Sequence, residues 1–289
     1  MEKILVSGGT GFVAKHLIEF LRENNYDVWF FSRNKHNDPK SFQFDFTQSE
    51  EIGRALKGHN FDIIIHAAAH IPEPENKKDI DICQNVNFNG TSHLLHYAVS
   101  NNIKKFVYLS SISIFNGSRE SLIDEESIPC PISDYANSKL SAEYLCKYFV
   151  DTYSLQIPIL RIGTVYGPGM NESRMINYFI NKCENNESID VYNANMRLHT
   201  IYIKDVVNVI SKIMHENYGV YHLVEDSLTK EEIVKIIARC SQSTSELSFK
   251  ENTDTYQMIF SKLKLRRILN HENVPFHDFE SGTKDFLKQ

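Results

Sequence analysis

Tyr135 and Lys139 lie four residues apart in SDYANSKLSAEYL (Ser133–Leu145), so on a helix they share one face a single turn apart. An ammonium beside a phenol stabilises the phenolate and pulls the phenol's pKa of about 10 toward neutrality. Tyr135 is therefore a candidate proton donor or acceptor for interconverting a carbonyl and an alcohol. Ser133 or Asp134 can cap such a helix, and Pro131 accounts for where it starts. Tyr-x-x-x-Lys is common in helices, so this pair draws its weight from the chain before it.

That chain opens with KILVS, an apolar strand, then GGTGFVA (Gly8–Ala14), then apolar pairs recurring at helical spacing. Strand, glycine turn and helix together are the context of a dinucleotide phosphate site. Gly8 permits the tight turn, Gly11 lets a pyrophosphate approach backbone N–H groups, and Ala14 allows close helix–strand packing. The second strand, YDVWFFSR, ends on Ser32 and Arg33 where an NAD site places an acid against the ribose hydroxyls. With no carboxylate to repel it, a 2′-phosphate can take a bidentate contact from Arg33, which favours NADP(H) over NAD(H).

FQFDF reads as a third strand, and Thr47-x-x-Glu50 as a capping box opening a helix to Gly58. Asp45 is placed to accept from an adenine amino group. FDIIIHAAA reads as a fourth strand, buried on both faces, with Ala67, Ala68 and Ala69 leaving room for a flat cofactor. His66 and His70 beside them have no further ligand nearby, so packing or hydrogen bonding is expected and no metal site. KKFVYLSS brings Ser110 and Ser111 to the C-terminal end of a fifth strand, where open α/β sheets bind ligands. IPILRI is a sixth. The acids of IDEESIPCP read as a solvated turn.

These alternations predict an α/β fold: a doubly wound, Rossmann-like parallel sheet with a small C-terminal substrate lobe. The expected dinucleotide-binding domain is 1–166, with 198–216 returning to it, and 167–289 is mainly the lobe. The composition of the 289 residues, 42% hydrophobic with no apolar run long enough to span a bilayer, is that of a globular protein. A net charge of -6 without a basic stripe excludes nucleic acid as a partner. Five scattered cysteines without metal-ligand spacing, and an N-terminus that reads as a strand, lead to the expectation of a cytoplasmic protein with reduced thiols.

GGTGFVA, HAAA, NFNGT, SS followed by YANSK, and RIGTVYGPG occur in this order, and over residues 3 to about 215 the chain resembles the extended short-chain dehydrogenase/reductases, the NAD-dependent epimerase/dehydratase family. The resemblance implies that Phe12 and Val13 lie along the pyrophosphate, that Asp45 and Phe46 border the adenine, and that Asn87 belongs to the cofactor site. It makes Ser111 the catalytic hydroxyl, Tyr135 the acid/base and Lys139 its partner, also holding the nicotinamide ribose. Ser113, Thr164 and Arg197 fall at or beside substrate positions. Ile112 and Ser113 replace the Asp-Glu pair of the family's dehydratases, Thr164 replaces an asparagine, and Leu198 takes the slot of an arginine that here stands one earlier as Arg197. The implied activity is an NADP(H)-dependent ketoreductase of a nucleotide-linked 4-keto-6-deoxyhexose. The alternatives are an epimerase with tightly bound NAD and a catalytically inactive NADP-sensing regulator. Relatives pair through the helices corresponding to 79–101 and 135–151, so a homodimer is expected, with Leu94, Tyr97, Leu145, Tyr148 and Phe149 as apolar residues for it.

Overall fold

The computed structural model describes residues 1–72, 79–250, 258–269 and 274–288. Apolar runs and amphipathic stretches alternate along it as strands and helices. They begin with β1 (Lys3–Ser7), α1 (Phe12–Glu23), β2 (Asp27–Ser32), β3 (Ser41–Gln43), α2 (Ser49–Ala55) and β4 (Ile63–His66). Next come α3 (Asp79–Cys83), a π-helical stretch (Gln84–Asn89), α4 (Gly90–Ser100), β5 (Lys105–Ser111), a 3₁₀ turn (Ile112–Phe115) and β6 (Leu122–Ile123). Then follow α5 (Asp134–Tyr153), β7 (Pro158–Ile162), β8 (Thr164–Tyr166), α6 (Met175–Glu184), β9 (Ile189–Tyr192), β10 (Arg197–Tyr202) and α7 (Ile203–Ile213). The rest are β11 (Gly219–Leu223), β12 (Asp226–Thr229), α8 (Lys230–Cys240), β13 (Leu247–Lys250), β14 (Ile259–Phe260), α9 (Leu263–Leu269) and α10 (Phe279–Phe286).

The chain divides into two units. The first comprises Met1–Ser118, Ile128–Arg161 and Val207–Tyr221. It is built on a parallel seven-stranded sheet in the order β3-β2-β1-β4-β5-β7-β11, the doubly wound arrangement with its reversal between β1 and β4. Every residue of β4 is buried, as a central strand covered on both faces requires. α1 turns Ala14, Leu17, Ile18 and Leu21 inward and leaves Lys15 and Glu19 in solvent. Burying a leucine or isoleucine in this way stabilises the fold by about 1.5–3 kcal/mol. Leu94 and Phe149, expected from the sequence to serve a dimer face, are fully buried in this unit's own core.

The third strand is shorter than its sequence predicts, because Phe44 and Phe46 leave the sheet and pack on Phe31, with ring centroids 4.4 and 5.7 Å away. The capping box at Thr47 does not form. Thr47 Oγ1 donates to Asp45 Oδ1 (2.8 Å), and α2 starts after Gln48 with no side-chain cap. Asp45, two residues upstream, outcompetes the helix for the hydroxyl.

The second unit comprises Arg119–Ser127, Ile162–Val206 and His222–Gln289. It carries three small sheets: β12-β10-β8, β13-β9 and β14-β6. Here the box at Thr229 does form. Its hydroxyl accepts from Glu232 N (3.1 Å) while Glu232 Oε2 accepts from Thr229 N (2.7 Å), opening α8. Tyr166 packs on Phe279 and Tyr202 at 4.7 and 5.3 Å, anchoring α10 in this unit. The stretch grouping with the main sheet is thus 207–221, against 198–216 read from the sequence, and 119–127 groups with the second unit.

Candidate active site

The phosphate turn is shaped by two contacts. Gly8 has φ +68°, and a Cβ there would stand 2.8 Å from Ala68 Cα. Gly9, to which the sequence assigned no role, faces Phe30 so closely that a Cβ would fall 2.1 Å from its ring. Gly11 N donates to Gly8 O (2.8 Å) and precedes α1 as an N-cap without a side-chain hydrogen bond. With a glycine at the cap, no N-cap side chain claims the first-turn N–H groups, including those of the half-buried Phe12 and Val13, and they can receive an anion.

Behind this turn runs a buried relay. Ala68 N donates to Ser7 Oγ (2.9 Å), and Ser7 Oγ meets His66 Nδ1 (2.7 Å). His66 Nε2 meets Thr91 Oγ1 (2.9 Å), which donates to Asn87 O (2.6 Å). One set of directions satisfies all four bonds: Ser7 donates to Nδ1, and a neutral imidazole donates from Nε2. Burial, with a smaller push from the charge of Lys139, lowers the His66 pKa to about 3 and keeps it neutral. Asn87 Oδ1 accepts from His70 N (2.7 Å), and Nδ2 donates to His70 O (2.9 Å) and Ser138 Oγ (3.0 Å). Its amide is engaged with protein, so Asn87 braces the Ala67–Ala69 stretch against α5. Among the described residues no group of three or more His, Cys, Asp or Glu is placed to hold a metal ion.

At the end of β2, Ser32 Oγ is buried and donates to Asn34 O (2.6 Å), while Arg33 is exposed. The loop carrying Arg33 is pinned by Asp38, whose two oxygens accept from Arg22 at 2.6 and 3.2 Å. Asp45 Oδ1 holds both Thr47 N and Thr47 Oγ1. The Phe46 ring is buried, 5.7 Å from that of His66.

Helix α5 begins where the sequence set it, with Ser133 Oγ accepting from Ala136 N (3.2 Å). It packs against β5 and the 3₁₀ turn, bringing Tyr135 and Lys139 onto the elements that carry Ser111 and Ser113. Lys139 is 3% exposed; its Nζ donates to Leu109 O (2.6 Å) and lies 4.7 Å from the Tyr108 ring centroid. Burial lowers its pKa to about 8, against the pull of the Glu143 carboxylate. Ser111 Oγ accepts from Ser113 N (3.2 Å), which leaves its proton available for a ligand oxygen. Ser113 Oγ is buried and has no hydrogen-bond partner among the described residues.

Two further groups, Glu143 and Arg161, escaped the sequence reading, and Glu143 also engages Ser110. Glu143, one turn beyond Lys139, takes Arg161 Nε at 3.1 and 3.2 Å and Arg161 Nη2 at 2.8 Å. Ser110 Oγ donates to Glu143 Oε1 (2.5 Å). The signal was Arg161 itself, a charge inside the apolar run of β7, where burial demands a partner.

Thr164 and Arg197 lie in the second unit. Thr164 is exposed on β8, in register with Thr200 of β10. Arg197 Nη1 donates to Ser227 O (2.6 Å) on the neighbouring strand. Leu198 and Arg197 are successive on β10 and so point to opposite faces of its sheet. His199 beside them is buried, and burial followed by the Arg197 charge lowers its pKa to about 4.

The model of the NAD dependent epimerase/dehydratase family matches residues 4–223. A dTDP-D-glucose 4,6-dehydratase of Mus musculus is 26% identical over 234 residues, 74% of this chain and 64% of the mouse protein, so the match spans less than two thirds of that relative. The Thermus thermophilus UDP-glucose 4-epimerase in complex with NAD superposes with a TM-score of 0.85 at 23% identity, covering 99% of this chain and 98% of that one. RMD from Pseudomonas aeruginosa, complexed with NADPH, gives 0.84 at 22%, covering 100% and 98%. At these identities the two structures establish the shared fold.

Proposed function

Because the chain belongs to the NAD-dependent epimerase/dehydratase family, we propose that it is an NADP(H)-dependent ketoreductase of a nucleotide-linked keto sugar, of the 4-keto-6-deoxyhexose type. The observation that carries this reading is the buried ammonium of Lys139, a turn from Tyr135 on a helix packed against the Ser110–Ser113 segment. A nicotinamide cofactor supplies the hydride when bound. The residues present fit it: the uncapped first turn of α1, the exposed Arg33 for a 2′-phosphate, Asp45 for the adenine, and the small side chains of Ala67–Ala69.

Tyr135 gives its phenolic proton to the keto oxygen. Lys139, as a cation, stabilises the phenolate left behind. Ser111, whose lone pair is occupied by Ser113 N, donates to the same oxygen. Ser113, Thr164 and Arg197 are assigned to the substrate, and a sugar hydroxyl would satisfy the orphaned Ser113 Oγ. Elimination of water has no acidic pair after Ser111, which argues against dehydratase chemistry. The same reading makes the protein a cytoplasmic homodimer through the helices at 79–101 and 135–151, and on the latter Tyr144 and Tyr148 are 65% and 52% exposed.

A second reading, an epimerase holding NAD, is favoured by the family and by the relatives' names. Cofactor released from native protein and identified by mass separates the two, together with NADPH oxidation by 4-keto sugar nucleotides. The ketoreductase reading expects NADPH-dependent turnover. Stoichiometric bound NAD with epimer exchange and no added cofactor would replace it with the second.

A further inference from the structure

The ammonium of Lys139 is surrounded by groups that burial keeps neutral. The Tyr108 phenol and the Cys146 thiol are pushed up, and the His66 imidazole is pushed down. Tyr135 lies one turn before Lys139 on the same helix. Among the described residues the other charges beside Lys139 are Glu143, on the same face of α5, and Arg161 of β7, which grips Glu143 over the Phe115 ring. Their side chains are 5% and 7% exposed. The cluster therefore holds two buried cations and one buried anion.

We propose that Glu143, one helical turn from Lys139 and buried with it, is the counter-charge that keeps Lys139 protonated, with Arg161 opposing it and Ser110 fixing the carboxylate. The argument is one of charge balance in a medium that tolerates imbalance poorly. Without the carboxylate, two cations would face each other out of reach of water. A guanidinium does not release its proton at any pH the fold survives, whereas a lysine does. The whole penalty thus falls on Lys139, which neutralises. Removing Arg161 instead leaves Lys139 and Glu143 as a pair and strengthens the hold on the proton. Glu143 is a positioning residue in this scheme and touches no reacting atom.

The inference rests on the proposed active site for its catalytic meaning, but the titration is a property of the folded chain and needs no substrate. Lysine labelled with ¹³C and ¹⁵N, with the Lys139 signal assigned by its loss in Lys139→Met, reports the midpoint directly by NMR. Glu143→Gln is expected to move that midpoint down by about one pH unit or more, a tenfold change in proton affinity. Arg161→Met is expected to move it up, and the double variant to bring it back toward the parent value. Both single changes lower stability, so opposite movements of the midpoint separate charge-setting from a merely structural role. Midpoints that stay put, or move together, would overturn the proposal. If Glu143→Gln fails to fold, Arg161→Met and the double variant decide it, since an isosteric neutral pair relieves the burial penalty. Absence of NADPH turnover with an intact titration would count against the ketoreductase reading alone.

Discussion

Helix α5 presents the same spacing twice with opposite outcomes. Lys139 and Glu143 are four apart and buried; Lys147 and Asp151 are four apart on the outer turns, with side chains 47% and 59% exposed. The outer pair forms two short contacts, 2.5 and 2.6 Å, and Asp151 raises the lysine's pKa. The inner lysine is lowered to about 8 by burial. Spacing brings two side chains together, but solvent decides whether that matters. Water screens the outer charges, so their pairing has little consequence. The inner charges have no such screen, and their neighbours govern protonation.

The contrast is broken most sharply at its N-terminal end. If burial makes the Tyr135–Lys139 face reactive, Tyr135→Phe lowers kcat by about 10²–10⁴ with cofactor affinity nearly unchanged. Lys139→Met lowers both. Single-turnover NADPH oxidation and cofactor titration check this, and a phenylalanine variant within tenfold of the parent would remove Tyr135 from the mechanism. Next in size is Glu143→Ala, which strands Arg161 and should cost about 3–5 kcal/mol in urea unfolding. Asp151→Ala on the outer turns should leave the unfolding midpoint where it was.

At the other ligand-facing edge, Arg33→Ala should weaken NADPH binding by about 1.5–3 kcal/mol and leave NADH binding alone. Calorimetry with both nucleotides tests it; equal affinities in the parent protein would refute the role. The smallest effect at neutral pH belongs to Lys139 itself. Between about 8 and 10.5 the folded state releases a proton that the unfolded chain still holds. This group's contribution to stability therefore rises with pH through that window while activity, which needs the cation, falls. Parallel pH profiles of unfolding and turnover should diverge there, and parallel decline would contradict the assignment.

Local signals were legible in the sequence wherever the partner lay within a few residues. The glycine turn and the Ser133 cap belong to this kind. Thr47 carried the same Thr-x-x-Glu pattern as Thr229 and failed, because Asp45 offered its hydroxyl a nearer acceptor. Contacts between distant stretches were not legible. Asn87 was read as facing the cofactor, yet its amide holds His70 and Ser138. Arg161 announced a missing anion without saying which. The strand at 219–223 was read as part of the lobe, and periodicity says nothing about which sheet a strand joins.

The interleaving of the two units has a consequence for synthesis. As the chain leaves the ribosome, β6 appears well before β14 at Ile259–Phe260, its one strand partner among the described residues, which is translated only after α8 and β13. The edge of the first unit's sheet likewise waits for β11. A premature stop between 162 and 206 therefore leaves both units unfinished, one lacking its last strand and the other most of its mass. Long-range closures of this kind are slow and expose unpaired strand edges in the interval. Neither unit can close until the strands after 206 have been made, and products truncated before them are expected to be substrates for chaperones and proteases and not half-functional fragments.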